Sequence, residues 1–273
     1  MNSQRRERKD QHIENYLRTR SGENTLFEDV YIEHYAISDV SLDDVDTSIE
    51  FMGKTISMPL MIDAMTGGGS SSESINEDLS SICESLNIPM AVGSESIALT
   101  DESSRESFEL VKAKKDLFRV GNLGFERDFD DFGFARDLID AHAMQVHLNL
   151  AQELVMKEGD NSYHSSLRLI ESLVKNFDRP IIVKETGSGI SKVVAKELAD
   201  VGVRYIDVAG KGGTNFIEIE DLRDFEIDYS DLYNWGISTA KSIIDVRSVS
   251  DDIFIIASGG IKTAMDIVKS III

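Results

Sequence analysis

The residues best equipped for chemistry gather in QVHLNLAQE, 145–153. Read as a strand, this segment points Gln145, His147 and Asn149 to one side and Val146, Leu148 and Leu150 to the other. If the apolar set packs against helices, His147 and Asn149 face an interior near its mouth, with Gln152 and Glu153 just beyond the strand. Glu153 suits Mg²⁺, a hard cation commonly shared between one or two carboxylates and the phosphates of a substrate. Lys184 ends the apolar run PIIVKE, 180–185. A buried lysine must lose its charge or find an anion. Lys184 therefore reads as the partner of Glu185 or Asp207, as a Schiff-base lysine, or as a cation beside an electron-rich cofactor ring. A basic arm, RRERKDQH (5–12), carries Arg8, Lys9 and His12. It is either a solvated tail or an arm that closes over an anionic substrate.

Glycines cluster at 67–69, within 210–213 and at 259–260. Glycine lets backbone N–H groups approach a phosphate closely, and a following helix N-terminus favours negative charge. The stretch SGGIK precedes the helical pattern TAMDIVKS, where β/α barrels often hold a phosphate. Three such segments on one rim point to a phosphorylated cofactor.

The elements that must position these groups are short apolar runs alternating with helical patterns. The runs are PLMIDA (59–64), PMAVGS (89–94), LFRVGNLG (117–124), MQVHLNL (144–150), PIIVKE (180–185), RYIDVAG (204–210) and IFIIASGG (253–260). They read as buried parallel strands. Between them apolar residues recur at helical spacing, as in Leu167, Ile170, Leu173, Val174 and Phe177. Polar residues sit at the carboxyl ends of the runs: Thr66, Ser94, Asn122, His147, Asn149, Lys184, Lys211, Thr214, Gly259 and Gly260. Barrel active sites are assembled at that edge, so the pattern predicts an α/β enzyme on a β/α barrel. The acidic excursion at 217–236 reads as a lid, an oligomer contact or a solvated loop before a helix near Thr239.

Composition sets the frame. With 273 residues and 41% hydrophobic content the chain is expected to form one domain, with an N-terminal arm (about 1–57) made of a polar segment, 1–24, and an irregular stretch to about residue 57. A net charge of −21 opposes general attraction to nucleic acid or an anionic membrane. The single cysteine, Cys83, lies in a helical row with Ile75, Leu79, Ile82 and Leu86 and reads as core filler in a reducing compartment. A charged N-terminus without a bilayer-length apolar run leads to the expectation of a cytoplasmic protein with no signal peptide.

Taken in order, RKDQH (8–12), PLMIDAMTGG (59–68), VGS (92–94), NLG (122–124), HLNLAQE (147–153), IVKETGSGIS (182–191), IDVAGKGGTNF (206–216), NWGIST (234–239) and ASGGI (257–261) resemble the type 2 isopentenyl-diphosphate isomerase family. The resemblance implies an FMN-dependent TIM-type (β/α)8 barrel that forms a homotetramer or larger. It implies interconversion of isopentenyl and dimethylallyl diphosphate in isoprenoid biosynthesis, with reduced FMN as acid/base, NADPH as reductant and Mg²⁺. Flavin contacts would fall on Ala64, Met65, Thr66, Ser94, Asn122, Lys184, Thr214, Gly259, Gly260, Ile261 and Lys262. Substrate contacts would fall on Arg8, Lys9, His12, Ser94, His147, Asn149 and Gln152, metal binding on Glu153, and catalytic roles on Gln152, His147 and Lys184. Asp63 replaces a usual Asn, Glu95 and Ser96 a usual Gln and then Arg or Met, and Ser238 a usual Pro. The family pattern continues past the last residue with the eighth strand and a final helix, so the resemblance implies a barrel lacking both. Rival readings are another FMN-dependent barrel, a 2-hydroxy-acid oxidase or dehydrogenase, then a Schiff-base aldolase using Lys184, and an inactive truncated remnant.

Overall fold

The computed structural model describes residues 2–19, 24–157, 159, 166–223 and 226–273, with side chains from residue 8 onward. An antiparallel hairpin, β1 (Ile49–Phe51) and β2 (Lys54–Ile56), precedes a six-stranded parallel sheet. Its strands lie in chain order: β3 (Met90–Ala91), β4 (Arg119–Gly124), β5 (Ala143–Leu148), β6 (Ile181–Glu185), β7 (Tyr205–Asp207) and β8 (Phe254–Ile256). The helices are α1 (Asn2–Tyr16), α2 (Ser72–Leu86), α3 (Glu106–Lys112), α4 (Phe129–Ile139), α5 (Leu150–Val155), α6 (Ser166–Asn176), α7 (Lys192–Asp200), α8 (Phe216–Asp221), α9 (Thr239–Arg247) and α10 (Ala264–Ile272). Side-chain caps start several of them: Asp128 accepts from the Asp131 N–H, Ser191 from Val194 and Thr263 from Asp266.

The period of two along each strand separates two cores. Leu123, Met144, Val146, Val183 and Ile206 pack with helix residues such as Phe132, Leu173 and Ile243. Ala91, Val120, Ala143, Ile182 and Ile256 face the other way and cluster with Phe51 and Ile56 of the hairpin. Phe51 meets Phe118 and Phe254 edge-on, at 5.3 and 5.6 Å between ring centroids. The hairpin thus plugs the amino end of the inner face. Two residues further along the same inner rows come Asn122, Gln145 and Lys184, with Asp207 two beyond Tyr205. Each inner row is apolar at the amino end and polar at the carboxyl end, which puts the chemistry on the expected edge.

Four expectations need correction. PLMIDA forms no ladder strand; Ile62 makes an isolated parallel bridge to Met90, and the Leu60 N–H turns back to the Met58 carbonyl. Among the described residues no ladder joins this segment to β8, so the sheet is an open half-barrel. The stretch up to residue 57 is not irregular throughout, because it ends in the hairpin, and the polar arm before it holds α1. The 217–236 segment is not a solvated acidic loop at its start; α8 buries Glu218, Glu220 and Asp221. Finally, Cys83 is buried as expected, but its row-mates Ile82 and Leu86 are exposed. Burial pushes the Cys83 thiol up to about 11, consistent with a packing role. Among the described residues no helix is long and apolar enough to cross a membrane.

Candidate active site

A cavity of about 1350 Å³ opens along the carboxyl ends of the strands and runs down the open side of the half-barrel past Phe51, Phe254 and Ile273. It brings together every residue singled out above for binding or catalysis: Arg8, Lys9 and His12; Ala64, Met65 and Thr66; Ser94, Asn122, His147, Asn149, Gln152, Glu153, Lys184 and Thr214; and Gly259, Gly260, Ile261 and Lys262. Residues separated by up to the length of the chain share one wall because each strand delivers its last polar residue to the same edge.

The arm reaches this edge as a helix. Asp10 accepts hydrogen bonds from the Ser70 N–H (3.1 Å) and hydroxyl (2.8 Å) and from the Ser71 hydroxyl (3.2 Å). Asn15 donates to the Ile219 carbonyl at 3.3 Å, and Lys9 to the Ser94 carbonyl at 3.3 Å. These contacts hold Arg8, Lys9 and His12 over the cavity; the Arg5 and Arg6 side chains lie outside the described residues. Burial, with Arg8 beside it, pulls the Lys9 ammonium down to about 8. An anion bound here needs Lys9 charged, and that charge is present below pH 8 and lost as pH rises through it. We expect kcat/KM for an anionic substrate to fall about tenfold per pH unit above that point. A Lys9→Arg variant should stay flat over the same range, because guanidinium does not titrate there.

Glu220 is the site residue the sequence reading missed. Its side chain is 2% exposed, yet it accepts from Gln152 Nε2 at 2.8 Å and meets His12 Nε2 at 2.9 Å, with Arg223 as a further partner. Burial opposes a charge there, but His12, Gln152 and Arg223 outweigh it and hold the carboxyl at about 2. Burial keeps His12 below its usual value against the pull of Glu220, so the neutral ring donates its Nε2–H. The available signal was Asn215, whose side chain caps α8 by accepting from the Glu218 N–H at 3.3 Å.

His147 is fixed through Asn122. The Asn122 amide donates to the Val92 carbonyl at 3.2 Å, so its oxygen must face His147 Nδ1, 2.7 Å away. His147 Nδ1 therefore carries the proton, and Nε2 offers a lone pair to the cavity. Burial, then Lys184, Lys9 and Arg127, depress this imidazole to about 3, so it is neutral under ordinary conditions. Beneath it, Glu95 is fully buried and accepts the Asn122 N–H at 2.8 Å. Burial raises its carboxyl well above the usual range. Burial thus disfavours a charge at this position.

Lys184 lies between carboxylates. Its ammonium donates to the Glu185 carbonyl at 2.7 Å and sits 3.5 Å from Asp63 Oδ2. The Glu185 carboxylate turns away to accept from the N–H groups of Thr186 and Gly187, at 2.7 and 2.8 Å, and of Ser188. Of the two partners the sequence suggested, Glu185 contributes its backbone, and the ion pair is made by Asp63 instead. Burial works against the Lys184 charge, but Asp63, Asp207 and Glu185 more than offset it and raise the pKa. A lysine so held is a permanent cation and a poor Schiff-base former.

Asn149 donates to Glu153 Oε1 at 2.7 Å, orienting a carboxylate that borders the cavity. Among the described residues no group of three or more His, Cys, Asp or Glu side chains forms a metal cage. A cation at Glu153 would therefore take its remaining ligands from water and substrate, the usual habit of Mg²⁺.

The glycine loops are first of all a close approach of backbones. A Cβ on Gly259 (φ 100°) would lie 2.2 Å from the Gly210 oxygen, and one on Gly213 would lie 2.7 Å from the Gly260 nitrogen. Gly259→Ala should destabilise the protein by about 1–3 kcal/mol, measured by urea unfolding. At the next turn Asp266 already accepts the Lys262 and Thr263 N–H groups, at 3.1 and 2.9 Å. A phosphate on this rim would rely on the Gly260–Ile261 backbone, the Thr214 hydroxyl and the Lys262 side chain rather than on the capped helix start. The donor set thus fits a flavin phosphate at the glycine loops and a ring beside the Lys184 cation.

No protein-family model matches the chain. Among solved structures, a flavocytochrome b2 double mutant with pyruvate bound superposes with a TM-score of 0.64 at 16% identity, over 95% of this chain and 67% of that one; at this identity the likeness speaks to the fold alone. Curated relatives are closer in sequence. Isopentenyl-diphosphate delta-isomerase of Listeria innocua is 40% identical over 222 residues, 80% of this chain and 61% of that enzyme. The enzymes of the same name from Bacillus pumilus and a Geobacillus strain are 40% and 41% identical over 219 residues. Across 61% to 63% of their length, the chain is a homologue of the bacterial isopentenyl-diphosphate delta-isomerases.

Proposed function

We propose that this protein is an isomerase that interconverts isopentenyl and dimethylallyl diphosphate with bound, reduced FMN. One observation carries the reading: α1 holds Arg8, Lys9 and His12 over a rim where Gln152, Glu153 and Lys184 already face the same cavity. A lining of this kind suits a diphosphate, its cation and an electron-rich ring. The names of its relatives support the same substrate.

The residues would act as follows. Ala64, Met65, Thr66, Ser94, Asn122 and Lys184 would hold the ring of FMN, and Thr214, Gly259, Gly260, Ile261 and Lys262 its phosphate. Arg8, Lys9 and His12, with Ser94, His147 and Asn149, would bind the substrate diphosphate, and Glu153 would hold Mg²⁺ against it. The flavin, when bound and reduced, supplies the acid/base chemistry of a double-bond shift without net oxidation. Lys184 provides fixed positive charge against the ring, effective because it is already oriented in a site screened from water. Gln152, held by Glu220, would face the reacting carbons; excluding water and fixing the allylic geometry is the work left to the chain. NADPH would serve as reductant, and the working form would be a cytoplasmic homo-oligomer, a tetramer or larger.

The test is direct. Protein loaded with FMN, reduced without oxygen and given Mg²⁺ should convert isopentenyl diphosphate to dimethylallyl diphosphate. Equal turnover in air without any reductant, or oxidation of a 2-hydroxy acid by the same preparation, would overturn the assignment in favour of an oxidase or dehydrogenase.

A further inference from the structure

We infer that Asp63 is a positioning residue that sets the charge of the cofactor site by neutralising Lys184. The inference rests on the proposed FMN site. Asp63 belongs to the loosely paired 59–64 segment, but its carboxylate is not loose: Gln145 Nε2 donates to Oδ1 at 2.7 Å, leaving Oδ2 3.5 Å from Lys184 Nζ. Lys184 cannot retreat, because its strand is flanked on both sides and its ammonium is bonded to the Glu185 carbonyl.

The other groups facing this lysine do not take over the task. Asp207, its register neighbour on β7, has one oxygen engaged by Ser258 and by the Ala209 N–H, and its other oxygen is buried without a backbone, hydroxyl or amide donor, beside the Asp63 carboxyl. A buried carboxylate oxygen without a donor marks an acid that keeps its proton. Burial and the neighbouring Asp63 push Asp207 in that direction. Glu185 points its carboxylate into a turn of backbone donors, and His147, the register neighbour on β5, is neutral. Among the described residues, the carboxylate that comes close enough to pair with this ammonium is that of Asp63.

A cation beside a flavin ring stabilises the forms that carry negative charge. With Asp63 ionised, much of that effect is cancelled, so the chain should hold its flavin at a lower reduction potential than Lys184 alone would give. Neutral Asp63→Asn should uncover the lysine, as should Asp63→Ser, which removes the charge with a smaller side chain; each is made together with Asp207→Asn, so that Asp207 cannot ionise once Asp63 no longer repels its charge.

The test uses FMN-loaded protein and two readouts that do not depend on turnover. Sulfite adds reversibly to oxidised flavin and places negative charge on the ring; its dissociation constant, read from bleaching of the visible band, should tighten about tenfold in either Asp63 variant. The reduced-to-oxidised ratio at a fixed poise should rise by a similar factor, about 30 mV for a two-electron couple. Asp207→Asn, which replaces an acid already neutral, should leave both readouts within about twofold of the parent. Unchanged sulfite affinity and potential in folded, yellow Asp63 variants would overturn the inference, as would loss of flavin from both. A parent protein that melts cooperatively but takes up no FMN would instead bring down the underlying site assignment.

Discussion

Replacing Gln152 with leucine is expected to lower kcat by about 100- to 1,000-fold while the protein stays yellow. Gln152 is 9% exposed at the start of α5, and its amide nitrogen is committed to Glu220 at 2.8 Å. That bond fixes the amide so that its oxygen faces away from the carboxylate, toward whatever the cavity holds. Leucine keeps the volume and removes both polar ends. The diphosphate charge is met elsewhere, by Arg8 and Lys9, so ground-state binding should survive. The loss is therefore expected in kcat, and equally in kcat/KM, with KM moving little. Glu220→Gln is the companion variant: it keeps the shape but removes the charge that orients His12 and Gln152, and it should lose a smaller factor. Steady-state rates at saturating Mg²⁺, with flavin content checked by absorbance, decide the matter. A Gln152→Leu enzyme within fivefold of the parent would show that this amide only packs.

The network around Gln152 also shows where sequence reading reached its limit. The rim itself was legible, because strand alternation and the polar residue ending each apolar run need only local pattern. His147, Asn149 and Lys184 follow from that rule, and all three face the cavity. Glu220 does not follow from it. In IEIEDLRD, four acidic residues look like a solvated run, and only the Asn215 cap and the Glu220–Arg223 spacing hint at a short helix turned inward. Its burial depends on α1 packing over α8 through Asn15 and His12, a contact across more than two hundred residues that no local pattern encodes.

The hairpin was hidden for a related reason. Met52 and Gly53 both take positive φ, 49° and 82°, and a methionine gives little warning of that conformation. Conversely, PLMIDA has the composition of a buried strand but pairs at a single bridge. A strand needs neighbours on its edges, and those are supplied by topology rather than by its own residues. Lys184 illustrates the same limit at one atom. Its need for an anion could be read from burial, whereas the choice of Asp63 over Glu185 came from the turn at 186–188, which captures the Glu185 carboxylate with its own N–H groups.

That choice leads to the second large effect expected. In flavin-free protein, Lys184→Met should cost about 3 kcal/mol of unfolding free energy, the low end for breaking a buried pair, because Asp63 reaches the cavity and is partly hydrated. The cost comes less from the lost attraction than from the carboxylate left behind. Asp63 would keep neutral donors such as Gln145 but lose its neighbouring cation. Removing that charge as well should restore most of the loss: in Lys184→Met with Asp63→Asn, the new amide can still bond Gln145, and no uncompensated charge remains. The two single costs should therefore exceed the double cost by about 1.5–3 kcal/mol. Urea unfolding of the four proteins at one pH supplies the cycle. Additivity within about 0.5 kcal/mol would mean that the 3.5 Å approach of lysine to carboxylate carries no coupling, and that the Glu185 carbonyl is the contact that holds the Lys184 ammonium.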